Sequence, residues 1–304
     1  NLVGVGIVIV QTEAGEVLVR GVVPGGPAAR AGVRRGERIA SVDGQPTAGR
    51  SLDEVALSIR GQPQTTVRLE LVGPDGRRRE LLLKRQPYTY DPKVQARVLP
   101  GEIGYLYLPG FREGMETAFL GELRRLYRTK ALVLDLRDST PGGSLATLMH
   151  IAGLLSREPL GLLVSREGMG LLEARRAETS DNPLVPAPTE LDFYGRPLAL
   201  LVDETSRFHE LAFGLRENRR AVLVGRPMTA GGGQVQSCSP LPGGGEVCVT
   251  SMRFFSLRGR PLVGPVVPDV VVPVDELFLK RWAQGGDLDL EKAVEVLRRQ
   301  LQAS

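Results

Sequence analysis

Three short and almost wholly apolar runs alternate with helical patterns in the second two thirds of the chain. The runs are "KALVLD" (130–135), "PLALLV" (197–202) and "RAVLVG" (220–225). Runs of this length that lack polar alternation are typical of strands buried on both faces. The segments between and around them, such as "METAFLGELRRLY" and "ELAFGLREN", place apolar residues at helical spacing. Strand–helix alternation predicts an α/β fold with a mostly parallel central sheet.

Residues 1–86 have a different character, with short alternating strands and one good helix. The helix pattern begins after Ser51, which has Glu54 at capping-box spacing, and ends before Gly61. "GPDG" (73–76) predicts a hairpin turn between two strand-like runs. A polar, Pro-containing stretch follows. We therefore predict a β-rich domain over 1–86 and an α/β domain over 87–304.

Charge and hydropathy limit the classes of partner. The net charge is only +4, and the cluster Arg77-Arg78-Arg79 follows the predicted turn, so we read it as a solvated hairpin tip rather than a nucleic-acid site. No run reaches the ~18–20 apolar residues of a membrane helix. The chain starts at Asn1 rather than Met, which leads us to expect that a signal segment has been removed.

Two cysteines flank a Pro/Gly-rich turn. Cys238 and Cys248 enclose "SPLPGGGEV", which predicts facing strands of a hairpin. A disulfide is geometrically feasible there and would indicate an oxidising, extracytoplasmic compartment. Two buried free thiols are the other interpretation. Nothing in the cysteine, histidine and acidic residues has metal-ligand spacing, and we expect no cofactor.

The first domain resembles a PDZ domain. The resemblance rests on "GVGI" (4–7), "PGGPAARAGVRRGERIASVDGQP" (24–46) and the helix over 51–60. In PDZ domains a Gly-rich loop presents backbone N–H groups to a peptide carboxylate, and the peptide adds as a strand to the sheet. The resemblance implies that the chain binds protein or peptide C-termini through four residues: Gly4, Val5, Gly6 and Ile7.

The whole chain resembles the carboxyl-terminal processing peptidases, or tail-specific proteases. "KALVLDLRDSTPGGSL" (130–145), "GGGQVQ" (231–236) and "FFSLRGRPLVGPVVPDV" (254–270) carry the resemblance, with the PDZ domain first. It implies a crotonase-like ββα arrangement and a serine endopeptidase with a Ser–Lys dyad that cuts near apolar C-termini. It also implies an oxyanion-type turn at Gly142 and Gly143, although "DSTPGG" is one residue longer than the family's usual turn.

The dyad itself is replaced. In family register the nucleophile position falls on His209, or on Phe208 if the shorter loop shifts the register by one residue. The position of the base lysine falls on Gly232, while the supporting Gln matches Gln236. Two independent losses lead us to expect a pseudo-peptidase that binds peptides.

Ser206 is the nearby hydroxyl that could rescue the chemistry. It stands three residues before His209, so the two side chains could touch on one helical turn. We favour the plainer interpretation that Ser206 caps the helix. The alternative function is an active serine endopeptidase with a rearranged site. A homo-oligomer or an active paralogue as partner stays open.

Overall fold

The structure is a computed structural model that describes residues 2–12, 14–88, 92–140, 143–165, 169–172, 193–229, 232–242 and 244–303. The chain folds into two compact units. The first holds Asn1–Pro92 and Pro273–Leu288, and the second holds Lys93–Val272 and Asp289–Ser304. The predicted domain boundaries at 86 and 87 did not foresee that a later segment returns to the first unit.

The first unit is built mainly from antiparallel strands. Its described elements are β1 (Leu2–Gly4), β2 (Ile7–Gln11), β3 (Val17–Val22), α1 (Pro27–Arg30), β4 (Arg38–Val42), β5 (Gln45–Pro46), α2 (Leu52–Ile59), β6 (Thr66–Val72), β7 (Arg78–Lys84), β8 (Gln86–Tyr88) and α6 (Glu276–Ala283). A six-stranded sheet has the order β2-β3-β4-β6-β7, with β5 paired to β4. Strand β2 is therefore an edge strand.

Local sequence signals fix the helix and the extent of this unit. The Ser51 hydroxyl accepts from the Glu54 N–H at 3.3 Å, and the Glu54 carboxylate accepts from the Ser51 N–H at 2.8 Å, which completes the predicted capping box. The unit runs beyond residue 86 because Leu2 in β1 pairs with Tyr88 in β8.

The arginine cluster at the β6–β7 hairpin is neutralised by carboxylates of its own unit. Arg78 pairs with Glu70 at 2.7 Å and Arg79 pairs with Glu37 at 2.7 Å. Arg77 lies 3.4 Å from Asp75, which stands in the predicted turn. The paired charges give the tip little excess positive potential, as expected for a solvated hairpin.

The second unit holds the α/β core. Its described elements are β9 (Gln95–Leu99), β10 (Ile103–Tyr107), α3 (Met115–Arg125), β11 (Ala131–Asp135), α4 (Leu145–Leu155), β12 (Gly161–Ser165), β13 (Met169–Leu172), β14 (Leu198–Val202), α5 (His209–Glu217), β15 (Val222–Gly225), β16 (Gln234–Pro240), β17 (Glu246–Phe255), β18 (Val270–Val271) and α7 (Leu288–Ala303). The three apolar runs are β11, β14 and β15. Every residue of β11 and β14 is buried, which confirms the prediction from their composition.

Two sheets organise this unit. One has the order β18-β15-β14-β11-β10-β9, and all its neighbouring pairs are parallel except β10 with β9. The other has the order β13-β12-β17-β16 and is antiparallel in its pairs. In the mostly parallel sheet, the carboxyl ends of β11, β14 and β15 lie at the same end of the sheet, where α/β proteins build their sites.

A buried network of charged side chains lies at this end of the sheet. Arg137, just after β11, binds Asp135 at 2.6 Å and Asp289 at 2.9 Å. Arg226, just after β15, binds Asp289 at 2.9 Å and Asp203 at 3.4 Å. All five residues are at most 8% exposed. Opposite charges offset the desolvation of each group, so the network ties the three strand ends to the start of α7.

The β16–β17 hairpin carries the two cysteines. Cys238 and Cys248 face each other across it and are joined by a disulfide. Residues 236–240 and 246–250 are exposed, so the outer part of the hairpin buries neither face. The exposed apolar side chains there include Val247 and Val249.

Candidate active site

Helix α5 begins one residue after an unusual backbone conformation. Phe208 has φ +59° and ψ +61°, a left-handed conformation that is uncommon for a residue other than glycine. It stands at the N-cap without any side-chain cap, and His209 is the first helical residue. The predicted nucleophile positions therefore lie on a sharp turn between β14 and α5.

The Phe208 ring covers the oxyanion-type turn. A Cβ added at Gly143 would lie 2.2 Å from Cζ of Phe208, so ring and backbone are in close contact. The same ring packs against Phe111, with ring centroids 4.2 Å apart and planes tilted by 50°. Gly142, the other predicted residue of this turn, lies outside the described residues. The ring takes up space next to the backbone that an oxyanion hole would need open.

His209 is buried and held in one tautomer. Its Nε2 lies 2.6 Å from the carbonyl oxygen of Thr229, and since a carbonyl only accepts, Nε2 carries the proton. Burial lowers the pKa of His209 below its ordinary value, which outweighs the opposing effect of the hydrogen bond to Thr229. The imidazole is therefore neutral at pH 7 and leaves Nδ1 without a proton.

The same imidazole excludes a side chain at residue 232. A Cβ added at Gly232 would lie 2.4 Å from both Cβ and Cγ of His209 and 2.7 Å from Nδ1. Such distances are far inside van der Waals contact. The sequence predicted that the base position falls on Gly232, and the structure places His209 directly against it.

The neighbouring residues of the motif take structural positions. Glu210 accepts a hydrogen bond from the backbone N–H of Gly233 at 2.9 Å, which ties α5 to the start of β16. Gln236, the match to the supporting Gln, is exposed on β16 opposite Thr250. The structure thus brings Phe208 close to Gly143 and His209 close to Gly232.

Ser206 does not cap α5, contrary to the favoured interpretation. Its Oγ is completely buried, accepts from the Asp203 N–H at 3.0 Å and donates to the Asp203 carboxylate at 3.3 Å. The Asp203 carboxylate also accepts from the backbone and hydroxyl of Thr205, at 2.9 and 2.7 Å. The short polar side chains close the loop on themselves, so the helix starts later, at His209.

Lys130, which the sequence pattern placed at the far end of β11, does not take the place of a lysine at residue 232. Lys130 pairs with Glu102 at 2.5 Å and precedes β11, at the end of the strand opposite Asp135. The sequence could not predict the role of the Thr229 carbonyl, because a backbone acceptor has no sequence signal. It could not predict Asp289 as the partner of Arg137 either, because the two residues are 152 positions apart. The arrangement places a neutral imidazole against Gly232 and the Phe208 ring against Gly143.

The Gly-rich loop of the first unit lies beside its edge strand. Val5 and Gly6 connect β1 to β2, and Gly6 has φ +73°, which favours glycine. A Cβ at Gly6 would also contact Val23 at 3.4 Å. Gly4 lies inside β1, so it takes part in a strand rather than in the loop. Ile7 begins β2, whose outer edge is open to an added strand.

Sequence profiles identify relatives of both units. A profile described as peptidase family S41 matches residues 102–272, and one described as PDZ domain matches residues 18–73. The first match covers more than half of the chain and includes the candidate site. The second covers β3 to β6 of the first unit.

Individual proteins agree with the profiles. The carboxyl-terminal-processing protease of Picosynechococcus sp. is 31% identical over 310 residues, covering 98% of this chain and 70% of that protein. The carboxy-terminal processing protease CtpA of Bacillus subtilis is 25% identical, covering 86% of this chain and 55% of that protein. The solved photosystem II D1 C-terminal processing protease is 26% identical with a TM-score of 0.58, and the match covers 97% and 76% of the two chains.

Proposed function

The chain belongs to peptidase family S41, and we propose that this member binds polypeptide C-termini and has lost Ser–Lys peptidase chemistry. The observation that carries the proposal is the contact between His209 and Gly232. At the nucleophile position stands an imidazole, and that imidazole fills the space in which a lysine at 232 would begin. The two replacements support each other sterically.

Binding of C-termini is assigned to the first unit. The loop at Val5 and Gly6 precedes the edge strand β2, and a peptide carboxylate would accept from N–H groups of this loop. Residues upstream in the peptide would then pair with β2 as an added strand. Ile7, Ile9 and Leu52 are partly buried apolar residues that pack against the core of this unit, and they favour an apolar peptide.

Peptidase activity is the second candidate function, because the relatives are named as proteases. It would require Ser206 as nucleophile, since Ser206 is the hydroxyl nearest to the motif. A buried Oγ that is engaged with Asp203 on both its donor and acceptor sides speaks against this role. Phe208 at the turn next to Gly143 speaks against it as well.

A fluorophosphonate probe separates the two functions, because it labels an activated serine. We expect no labelled serine in the intact protein and no cleavage of an unfolded protein with an apolar tail. The control is a Ser206→Ala variant, which should behave like the parent in both assays. Cleavage that disappears in Ser206→Ala would overturn the loss of peptidase chemistry.

Binding is tested separately with a fluorescent peptide that ends in an apolar residue. We expect the free acid to bind more tightly than the matching C-terminal amide, because only the acid has the carboxylate. A Gly6→Ala substitution should weaken binding, since φ +73° at residue 6 is strained for alanine. Gly76→Ala, at a hairpin turn with a similar φ of +76°, controls for general loss of stability.

The proposal places the protein outside the cytoplasm. The Cys238–Cys248 disulfide supports this, since such bonds persist in oxidising compartments. Within the described part of the chain, no helix combines the length and apolar character needed to cross a membrane. Thiol trapping of the protein from its source cells tests the placement, and two free cysteines would contradict it.

A further inference from the structure

In the second unit, a cavity of about 220 Å³ opens beside Gly232, the predicted position of the base lysine. Its lining consists of residues 232–234, 253–254 and 261–264. The proposed function gives this cavity no role, because that proposal assigns C-terminus binding to the first unit.

The cavity has walls fixed by backbone contacts. Gly233, at φ +82°, approaches Leu262 so closely that an added Cβ would lie 2.5 Å from the Leu262 carbonyl oxygen. The Phe254 N–H donates to Gly233 at 2.8 Å, and the Leu262 N–H donates to Phe254 at 2.9 Å. Phe254 and Leu262 are buried core residues. The space is therefore part of the folded architecture rather than a gap between loose side chains.

Its size and apolar lining suit one large apolar side chain. Pro261 and Val263 supply the exposed apolar surface of the cavity, and the buried Phe254 and Leu262 lie beneath it. A cavity of roughly 150 Å³ accommodates benzene in a protein core. About 220 Å³ thus leaves room for a leucine or phenylalanine side chain and part of its backbone.

The charged residue of the lining is Arg253. No carboxylate pairs with it among the residues that the structure describes. Gln234, the remaining polar side chain of the lining, accepts a hydrogen bond from Thr250 at 3.1 Å. The nearby negative charge of Glu210 is engaged by the Gly233 N–H. An apolar cavity next to an unpaired guanidinium is complementary to an apolar group that carries a carboxylate.

We propose that this cavity binds the carboxyl-terminal residue of a polypeptide, with its apolar side chain in the cavity and its carboxylate paired with Arg253. Among the described strands, β16 begins at Gln234 and stands at the edge of its sheet, so this edge can pair with the preceding residues of an extended peptide. This rests on the proposed function for the class of ligand and adds a second point of capture in the core unit.

Photo-crosslinking on the full chain tests the proposal. The probe is a short Gly/Ser peptide whose last residue is benzoylphenylalanine, made as free acid and as amide. We expect the free acid to crosslink within residues 253–264, and the amide to lose about tenfold of that crosslinking because the charged hydrogen bond is missing. Arg253→Gln should cause a similar loss, whereas Arg258→Gln, an exposed arginine outside the lining, should not.

The outcomes separate this site from the first unit. Crosslinks confined to residues 5–9 and 52–59 would overturn the cavity proposal and leave C-terminus binding by the first unit intact. Crosslinks confined to 253–264 would support the cavity and overturn binding by the first unit. Equal crosslinking at 253–264 by acid and amide, or by the parent and Arg253→Gln, would overturn the role of Arg253 and with it the proposal.

Discussion

The imidazole of His209 lies where the side chain of residue 232 would have to start, 2.4 Å from the position of a Cβ on Gly232. The predicted nucleophile and base positions are therefore sterically coupled in this chain. Either replacement constrains the other, so reverting one of them alone creates a clash or an empty space.

A double-mutant cycle measures this coupling. Gly232→Ala should lower the free energy of unfolding by about 1–3 kcal/mol, because the new methyl group overpacks against His209. In a His209→Gly background the same substitution should cost much less, since both the ring and Cβ of residue 209 are gone. Chemical denaturation of the four proteins gives the coupling energy. The control Gly121→Ala, on α3 where a Cβ meets open space, should not destabilise; additive effects at 209 and 232 would contradict the coupling.

Under the proposed loss of the dyad, introducing serine at 209 and lysine at 232 together should give reactivity that the parent does not have. In His209→Ser/Gly232→Lys the ring overlap is gone, and a small backbone shift at residue 232 that relieves the remaining Cβ contact with residue 209 makes the lysine a neighbour of the serine. Burial lowers the pKa of a lysine towards the range of a base. We expect fluorophosphonate labelling of the double variant above that of the parent and of both single variants. Mass spectrometry should locate the label at residue 209. Labelling at Ser206 instead would point to the rearranged site.

Stability should depend on pH through His209. Because burial lowers its pKa in the folded protein below the ordinary 6.5, the unfolded chain takes up the proton first as the pH falls. The stabilisation that the neutral imidazole gives the folded protein is fully present above pH 6.5. It is lost as the pH falls from 6.5 towards the pKa of His209 in the folded protein. Thermal unfolding between pH 8 and 5 should show a smaller decrease for His209→Gln, and identical slopes for the two proteins would refute the assignment.

The left-handed turn at Phe208 predicts an order among its substitutions. Phe208→Ala and Phe208→Gly both remove the ring from Phe111 and Gly143, so both should be less stable than the parent. Glycine adopts φ +59° without the Cβ clash, so Phe208→Gly should be the more stable of the two by about 1 kcal/mol. Denaturant midpoints check this, and an alanine variant as stable as the glycine variant would argue against the turn.

Asp289 should be one of the most sensitive charged positions. Asp289→Ala leaves Arg137 and Arg226 without their shared carboxylate in a buried environment, and about 3–5 kcal/mol of stability should be lost. Glu295→Ala on the same helix breaks exposed pairs with Lys292 and Arg299 and should change the melting temperature little. Similar melting temperatures for the two variants would mean that the network contributes little.

Local patterns were sufficient to predict much of the fold. The buried strands β11, β14 and β15 followed from apolar composition, and the capping box of α2 followed from Ser51 and Glu54. The return of residues 273–288 to the first unit could not be predicted in this way. It depends on contacts distant in sequence, such as the Arg35 guanidinium 4.7 Å above the Trp282 ring.

The candidate site was predictable as a set of positions but not as a geometry. Motif register predicts roles for residues 208, 209 and 232, yet it could not show that one ring excludes a side chain at 232 and another covers Gly143. The wrong expectation concerned Ser206. A serine before a helix pattern usually caps it, but here the Asp203 carboxylate competes for the hydroxyl and the helix starts three residues later.

The disulfide across the β16–β17 hairpin has a topological consequence. Any peptide bond between Cys238 and Cys248 can be cut while the two fragments remain one covalent molecule. The exposed residues that it encloses, such as Leu241 and Val247, are accessible to peptidases. A protein nicked there keeps β17 in place between β12 and β16, and with it the walls of the cavity at Phe254 and Leu262. The disulfide thus preserves the cavity at the base of the hairpin when a peptide bond at its tip is cut.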